Sequence, residues 1–221
     1  RVLRCRYLSQ EDLFAGRWKE RTRVPLRRDA AGDATPAWQL SIGTAAQPEI
    51  RAAVKAAGLK EPDRPHSYAL VSRGHTLTVC GADGHGALYG IGHLLRILVF
   101  QPNRVALPDV RLTRTPAVYN RGIYFATHFN NYYEAAPIER VEHYIEELAL
   151  WGFDAWMFWF DMNWFPHGFW RDPKSRGTKM INRLRRICDT AHACGLKVFA
   201  GGLGNEGFSY QPPPELRADM S

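Results

Sequence analysis

Apolar positions follow two rhythms along this chain, with a change near residue 115. In the first stretch, Trp38–Ile42, Ser67–Ser72 and Thr76–Cys80 read as strands, the last two joined by a turn at Arg73-Gly74-His75. Pro48–Ala57 reads as a short helix closed by Gly58. Asp83 stands where an N-cap belongs, and Leu88, Ile91, Leu94, Leu95 and Leu98 recur at helical spacing behind it. Val110–Leu112 closes this part as a strand, and Thr113-Arg114-Thr115-Pro116 reads as a linker. Residues 1–35 are Arg-rich and carry no legible element.

The second stretch alternates strand and helix. Val118–Ala126 is strand-like, and Pro137 suits a helix start. Ile138, Val141, Ile145, Leu148 and Trp151 form one face of that helix, which Gly152 ends. Asp154–Met162 is apolar almost throughout, the pattern of a strand buried on both faces. Residues 163–177 read as a long loop. A second helix spans about Lys179–Cys194, with Ile181, Leu184, Ile187, Cys188 and Ala191 inward and Gly195 as its cap; Leu196–Ala200 is the third strand. Such spacing predicts parallel strands with right-handed crossovers. The division expected is an Arg-rich segment over 1–37, a small α+β domain over 38–115, and the opening of a (β/α)8 barrel over 116–221. A whole barrel takes ~250 residues, so about three of eight β/α units are expected here, and such an open piece should be unstable by itself.

Composition narrows the classes. The 221 residues are 45% hydrophobic and 23% charged, enough for a real core, and no apolar run approaches the ~20 residues of a membrane span. No signal-peptide pattern is present. Net charge is +7, of which residues 1–28 supply +6. That strip contains Tyr7, Phe14 and Trp18 but no nucleic-acid-binding module, and it reads as a solvated face. The four cysteines form no CxxC pair, and no His pair has metal spacing on one helix face, so buried free thiols and no metal are expected.

In a β/α barrel the chemistry lies at the C-terminal ends of the strands. After the first strand come His128 and Asn130. The second ends in Trp159 and leads into Asp161, Asn163 and Trp164, and after the third come Asn205 and Glu206. Residues 118–170 hold 17 of the chain's 27 aromatics. Flat rings suit the C–H faces of sugars, and amides and carboxylates suit their hydroxyls, so an oligosaccharide or polysaccharide is the expected partner. Trp156, Phe158 and Phe160 read instead as core. Glycoside hydrolysis needs two carboxyl groups, ~5–5.5 Å apart for retention and ~6.5–9.5 Å for inversion. Glu206 is the candidate catalytic acid, with Asp161 on the neighbouring tip as ligand or anchor. Arg121 sits near the start of a strand that should be buried, where an unpaired charge is costly. It either pairs with a carboxylate or contacts ligand hydroxyls. Gly202-Leu203-Gly204-Asn205-Glu206-Gly207 fits the dinucleotide fingerprint but leads into three prolines rather than a helix, so no cofactor is expected.

Ile42-Gly43-Thr44, Tyr68-Ala69-Leu70, Leu77-Thr78-Val79 and Asp83 with Gly86-Ala87-Leu88-Tyr89-Gly90 together resemble the N-terminal α/β domain of family 20 β-N-acetylhexosaminidases and the related domains of α-glucuronidases. Leu107-Pro108-Asp109-Val110, Pro116 and Arg121-Gly122 are similar to the passage into the hexosaminidase barrel. The resemblance covers about residues 38–205. It implies a sugar-cleaving enzyme in which Arg121 binds sugar hydroxyls. Three places depart from the family pattern: Ala126 replaces an Asp, Trp159-Phe160-Asp161-Met162-Asn163 replaces His-x-x-Asp-Asp, and Gly201-Gly202-Leu203-Gly204-Asn205-Glu206 replaces Pro-Glu-x-Asp. The family's catalytic Asp–Glu pair follows a fourth strand. A non-catalytic carbohydrate-binding or structural protein with a degenerate barrel is the rival expectation.

Overall fold

The computed structural model describes residues 9–26, 38–107, 109–126, 131–159 and 176–201. These divide into two compact units, one holding the chain up to Tyr119 with Ala149–Gly152, the other Asn120–Leu148 with the residues from Phe153 on.

The first unit opens with helix α1 (Gln10–Arg21), which the Arg-rich strip had hidden. Ser9 caps it, its Oγ accepting the Asp12 N–H at 3.0 Å. Glu11 and Asp12 lie in the first turn and Lys19 and Arg21 in the last, the arrangement the helix dipole favours. Leu13, Phe14 and Arg17 are its buried residues and Trp18 lies against Phe14 with ring centroids 5.7 Å apart, too short a stripe to show a period. The sheet comprises β1 (Gln39–Thr44), β2 (Tyr68–Arg73), β3 (Thr76–Gly81) and β6 (Arg111–Arg114), with α2 (Pro48–Ala56) and α3 (Gly84–Ile97) packed on it. The spatial order is β1-β3-β2-β6. β1 runs parallel to β3, and β2 is antiparallel to both its neighbours.

Alternation along β2 and β3 sends Ala69, Val71 and Cys80 to one face, where Ile50 and Val54 of α2 meet them. The opposite face receives α3, which comes so near β3 at Gly90 that a Cβ there would stand 2.6 Å from Val79 Cγ1. A hairpin of β4 (Val99–Gln101) and β5 (Arg104–Ala106) precedes β6. Its turn, Pro102-Asn103, is a turn signal that a sequence reading could have used. Burial pushes the Cys80 thiol up to about 11, so it is a packing group rather than a nucleophile.

Asp83 fixes the start of α3. Its Oδ1 accepts the Gly86 N–H at 2.7 Å, and its Oδ2 accepts the N–H of His66 at 2.9 Å. His66 is the non-glycine residue held at positive φ, 64°. Asp83→Ala removes the cap and this tie, so a loss of about 1–2 kcal/mol is expected. It should read as a lower urea midpoint at unchanged m-value, and Asp83→Asn, which keeps an acceptor, should cost less. An equal loss from both variants would show that the charge matters more than the cap.

In the second unit the strands β7 (Gly122–Ala126), β8 (Ala155–Trp159) and β9 (Lys197–Gly201) alternate with α5 (Ile138–Leu150) and α6 (Arg176–Ala193); a short α4 (Tyr132–Ala135) precedes α5. All strand pairs are parallel, in the order β7-β8-β9. Val141 and Ile145 of α5 and Leu184, Ile187 and Ala191 of α6 are buried, as their spacing requires. Trp151, counted with the α5 face from sequence, falls beyond the helix end and is 63% exposed.

β8 is not buried on both faces. Trp156 is wholly buried and Phe125 nearly so, on the face that the helices cover. The row Tyr124–Met157–Phe199, level across the three strands, is 48%, 39% and 49% exposed. Among the described residues the helices cover one side of these strands, so an apolar sequence here supplies one packed face and one open one. Phe160 lies outside the described residues.

Candidate functional site at the strand ends

Because the three strands are parallel, their C-terminal ends meet at one edge of the sheet, with Ala126, Trp159 and Gly201 level with one another. Trp159 is two residues beyond Met157 and so shares the alternation of the open face. It is half-buried. His128 and Asn130 follow β7 in sequence, Asp161, Asn163 and Trp164 follow β8, and Asn205 and Glu206 follow β9. These seven expected site residues lie outside the described residues.

The described residues nearest this edge form an aromatic support. Asn131 caps α4, its Oδ1 accepting the N–H groups of Tyr133 at 3.1 Å and Glu134 at 3.4 Å. Tyr133 lies flat on Phe125, with ring centroids 3.5 Å apart and planes 13° from parallel. Tyr144 and Trp156 complete the cluster around Phe125, at 5.7 and 5.5 Å. Burial, then the hydrogen bond with Tyr144, raises the Tyr133 phenol well above its ordinary range, which makes it a poor proton donor to substrate.

Arg121 occupies the opposite end of β7. Its backbone N–H donates to Asp154 Oδ1 at 2.7 Å, and its guanidinium stands 3.6 Å from Asp154 Oδ2. The Asp154 N–H returns a bond to Arg121 O at 3.0 Å, and Asp154 O accepts from Lys197 N–H at 3.0 Å. Asp154 therefore ties the N-terminal ends of all three strands together. Arg121 thus pairs with a carboxylate, one of the two roles open to it from sequence. Arg121 and Trp159 stand five residue steps apart along the sheet, roughly 16 Å.

One group of residues escaped the sequence reading. A groove of about 440 Å³ is lined by Glu134 of α4, Ile138 of α5, and Lys179, Met180, Asn182, Arg183 and Arg186 of α6. The signal available was Lys179 and Arg183, four apart on one helix face. Among the described residues no cluster of three or more His, Cys, Asp or Glu could hold a metal ion, and no helix is long and apolar enough to cross a membrane.

No protein-family model matches the sequence, and no curated protein matches it. Solved structures do. The GH20 β-N-acetylhexosaminidase from Streptomyces coelicolor A3(2) is 15% identical, covering 88% of this chain and 40% of its own, with a TM-score of 0.58. A mutant Streptomyces plicatus β-hexosaminidase in complex with product, GlcNAc, is 16% identical over 88% of this chain and 38% of its own, at 0.57. CpGH84B is 14% identical over 90% of this chain and 32% of its own, at 0.56. The chain spans less than half the length of each. At these identities the likeness is one of fold: a mixed α/β architecture similar to part of a β/α barrel.

Proposed function

We propose that this chain is the N-terminal part of a glycoside hydrolase that cleaves O-glycosidic bonds, β-N-acetylhexosaminidase-like or α-glucuronidase-like, with its cleft at the C-terminal ends of β7, β8 and β9. The observation that carries this reading is the extent of the likeness. About nine-tenths of the chain aligns with the GH20 and GH84 structures. About three of eight barrel units are assigned to residues from 116 on. The open Tyr124–Met157–Phe199 face becomes part of the barrel lining.

Trp159 offers an aromatic platform at the edge of that face, and Trp164 follows it in sequence. His128, Asn130, Asp161, Asn163 and Asn205 are assigned to sugar hydroxyls. Glu206 is assigned the proton transfer to the leaving oxygen, through an oxocarbenium-like transition state. Carboxyl groups and water suffice for that chemistry, and no cofactor is invoked.

The test begins with the intact mass of the polypeptide in its natural host. A mass well above that of 221 residues is expected, followed by turnover of aryl glycosides that include N-acetylated and acidic sugars. Glu206→Gln should then lower kcat about 10²–10⁴-fold. One observation favours the rival reading, a non-catalytic carbohydrate binder: the three strands themselves carry no Asp or Glu. Sugar binding without turnover of any glycoside, unchanged by Glu206→Gln, would decide for it.

A further inference from the structure

The groove beside α6 has an unusual charge arrangement. Arg183 is half-buried and lies against the turn that ends α4. Its Nε donates to Tyr133 O at 2.5 Å, and one terminal nitrogen makes a short bond to Ala136 O. Both acceptors are neutral carbonyls. They fix the guanidinium in place without cancelling its charge, and three of its five N–H groups have no partner among the described residues. Burial, the largest influence, lowers the Arg183 pKa, while the carboxylates of Glu139, Glu134 and Glu142 act in the opposite direction.

Lys179, one turn earlier on the same wall, also has no hydrogen-bond or ion-pair partner among the described residues. Arg186 differs: Glu142 takes it in two bonds of 2.8 Å, and Glu139 adds a third at 3.4 Å. The nearest carboxylates on α5 are thereby spent. The floor is apolar, from Ile138 and the buried Met180, and Glu134 stands on the α4 side.

We infer that this groove binds a carboxylate-bearing sugar, a uronate unit, in the helix layer and apart from the strand-end cleft. The volume of about 440 Å³ suits a monosaccharide. Arg183 and Lys179 receive the carboxylate, the fixed planar fork of the arginine giving direction and the lysine adding charge. The Asn182 amide N–H groups meet a hydroxyl, which a simple inorganic anion lacks, while its Oδ1 accepts from Arg185 at 3.2 Å. Ile138 and Met180 lie under the ring. The choice of a sugar over another small carboxylate rests on the reading of the chain as carbohydrate-active; the anion site does not.

The experiment is a titration of the full-length polypeptide, as its natural host makes it, with D-glucuronate, D-glucose and inorganic phosphate, followed by calorimetry and by the arginine side-chain N–H resonances in NMR. Saturable glucuronate binding is expected, about tenfold or more tighter than glucose, the scale of one hydrogen bond to a charged group. Lys179→Gln, which breaks no contact among the described residues, should weaken it severalfold, and Arg183→Gln should weaken it at least tenfold with the far-ultraviolet spectrum unchanged. Should Arg183→Gln unfold, Lys179→Gln decides. Equal affinity for glucose and glucuronate overturns the proposal, as does phosphate binding as tightly as glucuronate or Lys179→Gln binding like the parent. The fold-loss of glucuronate affinity caused by Lys179→Gln should be the same in the Glu206→Gln background. Loss of turnover and loss of this site are thus read separately.

Discussion

Trp156→Ala is expected to cost about 3–5 kcal/mol, the scale for emptying a buried aromatic site. Trp156 is wholly buried, stacks on Phe158 at 5.1 Å and meets Phe125 edge-on at 5.5 Å. Whole domains hold only about 5–15 kcal/mol, so the second unit should lose most of its cooperative unfolding, visible in near-ultraviolet dichroism and urea titration. Two controls sharpen the result. The Trp156 Nε1 is buried without a hydrogen-bond partner among the described residues. Trp156→Phe removes that orphaned donor while it gives up volume, and the two effects oppose. Its net cost should stay below about 1.5 kcal/mol. Met157→Ala acts on the open face and should cost under about 1 kcal/mol. A Met157 variant as damaging as Trp156→Ala would mean that both faces of β8 are packed, and the open-face description would fail.

The contrast between those neighbours shows what sequence could and could not reveal. Element type was legible wherever an apolar period ran for several turns, as in α3, α5 and α6, or wherever glycine marked an end. Gly58, Gly74, Gly152 and Gly195 all adopt positive φ at the turns expected of them. α1 was hidden because its helix signals are a cap and a charge gradient rather than a hydrophobic face. The two short strands β4 and β5 fell below the length at which alternation can be read. Burial of β8 was misjudged for a different reason. An apolar run states that both faces avoid water in some folded context, and it does not state what covers each face. The candidate site was legible only as a rule, that parallel strands present their C-terminal ends. The rule brings Trp159 to that edge and sends Arg121 to the other. Of the Arg183 groove only the Lys179–Arg183 spacing was legible; the two backbone carbonyls that fix Arg183 are encoded by no side-chain pattern.

Asp154→Ala is the second large effect expected, about 3–5 kcal/mol, the scale for removing one partner of a buried ion pair. Asp154 is 3% exposed, and its carboxylate meets both the backbone and the side chain of Arg121. The 2.7 Å bond from the Arg121 N–H is the closer tie, the guanidinium at 3.6 Å the looser one. Asp154→Asn should therefore recover much of the loss, since the amide oxygen still accepts that N–H. Arg121→Gln leaves Asp154 Oδ2, already without a hydrogen bond among the described residues, buried beside a neutral amide. A cost of about 1–3 kcal/mol is expected for it. Combining Arg121→Gln with Asp154→Ala should add little to Asp154→Ala alone, because contacting residues do not act additively. The same variants separate the two roles of Arg121. As a positioning residue, it loses stability on substitution in step with Asp154, and sugar affinity survives in both Arg121→Gln and Asp154→Asn. As a ligand to hydroxyls, it loses affinity in Arg121→Gln while Asp154→Asn binds normally. We propose the first result. Asp154 bonds to Arg121 at one end of β7 and to Lys197 at the start of β9, so it holds the register of three strands whose far ends must align to make a cleft.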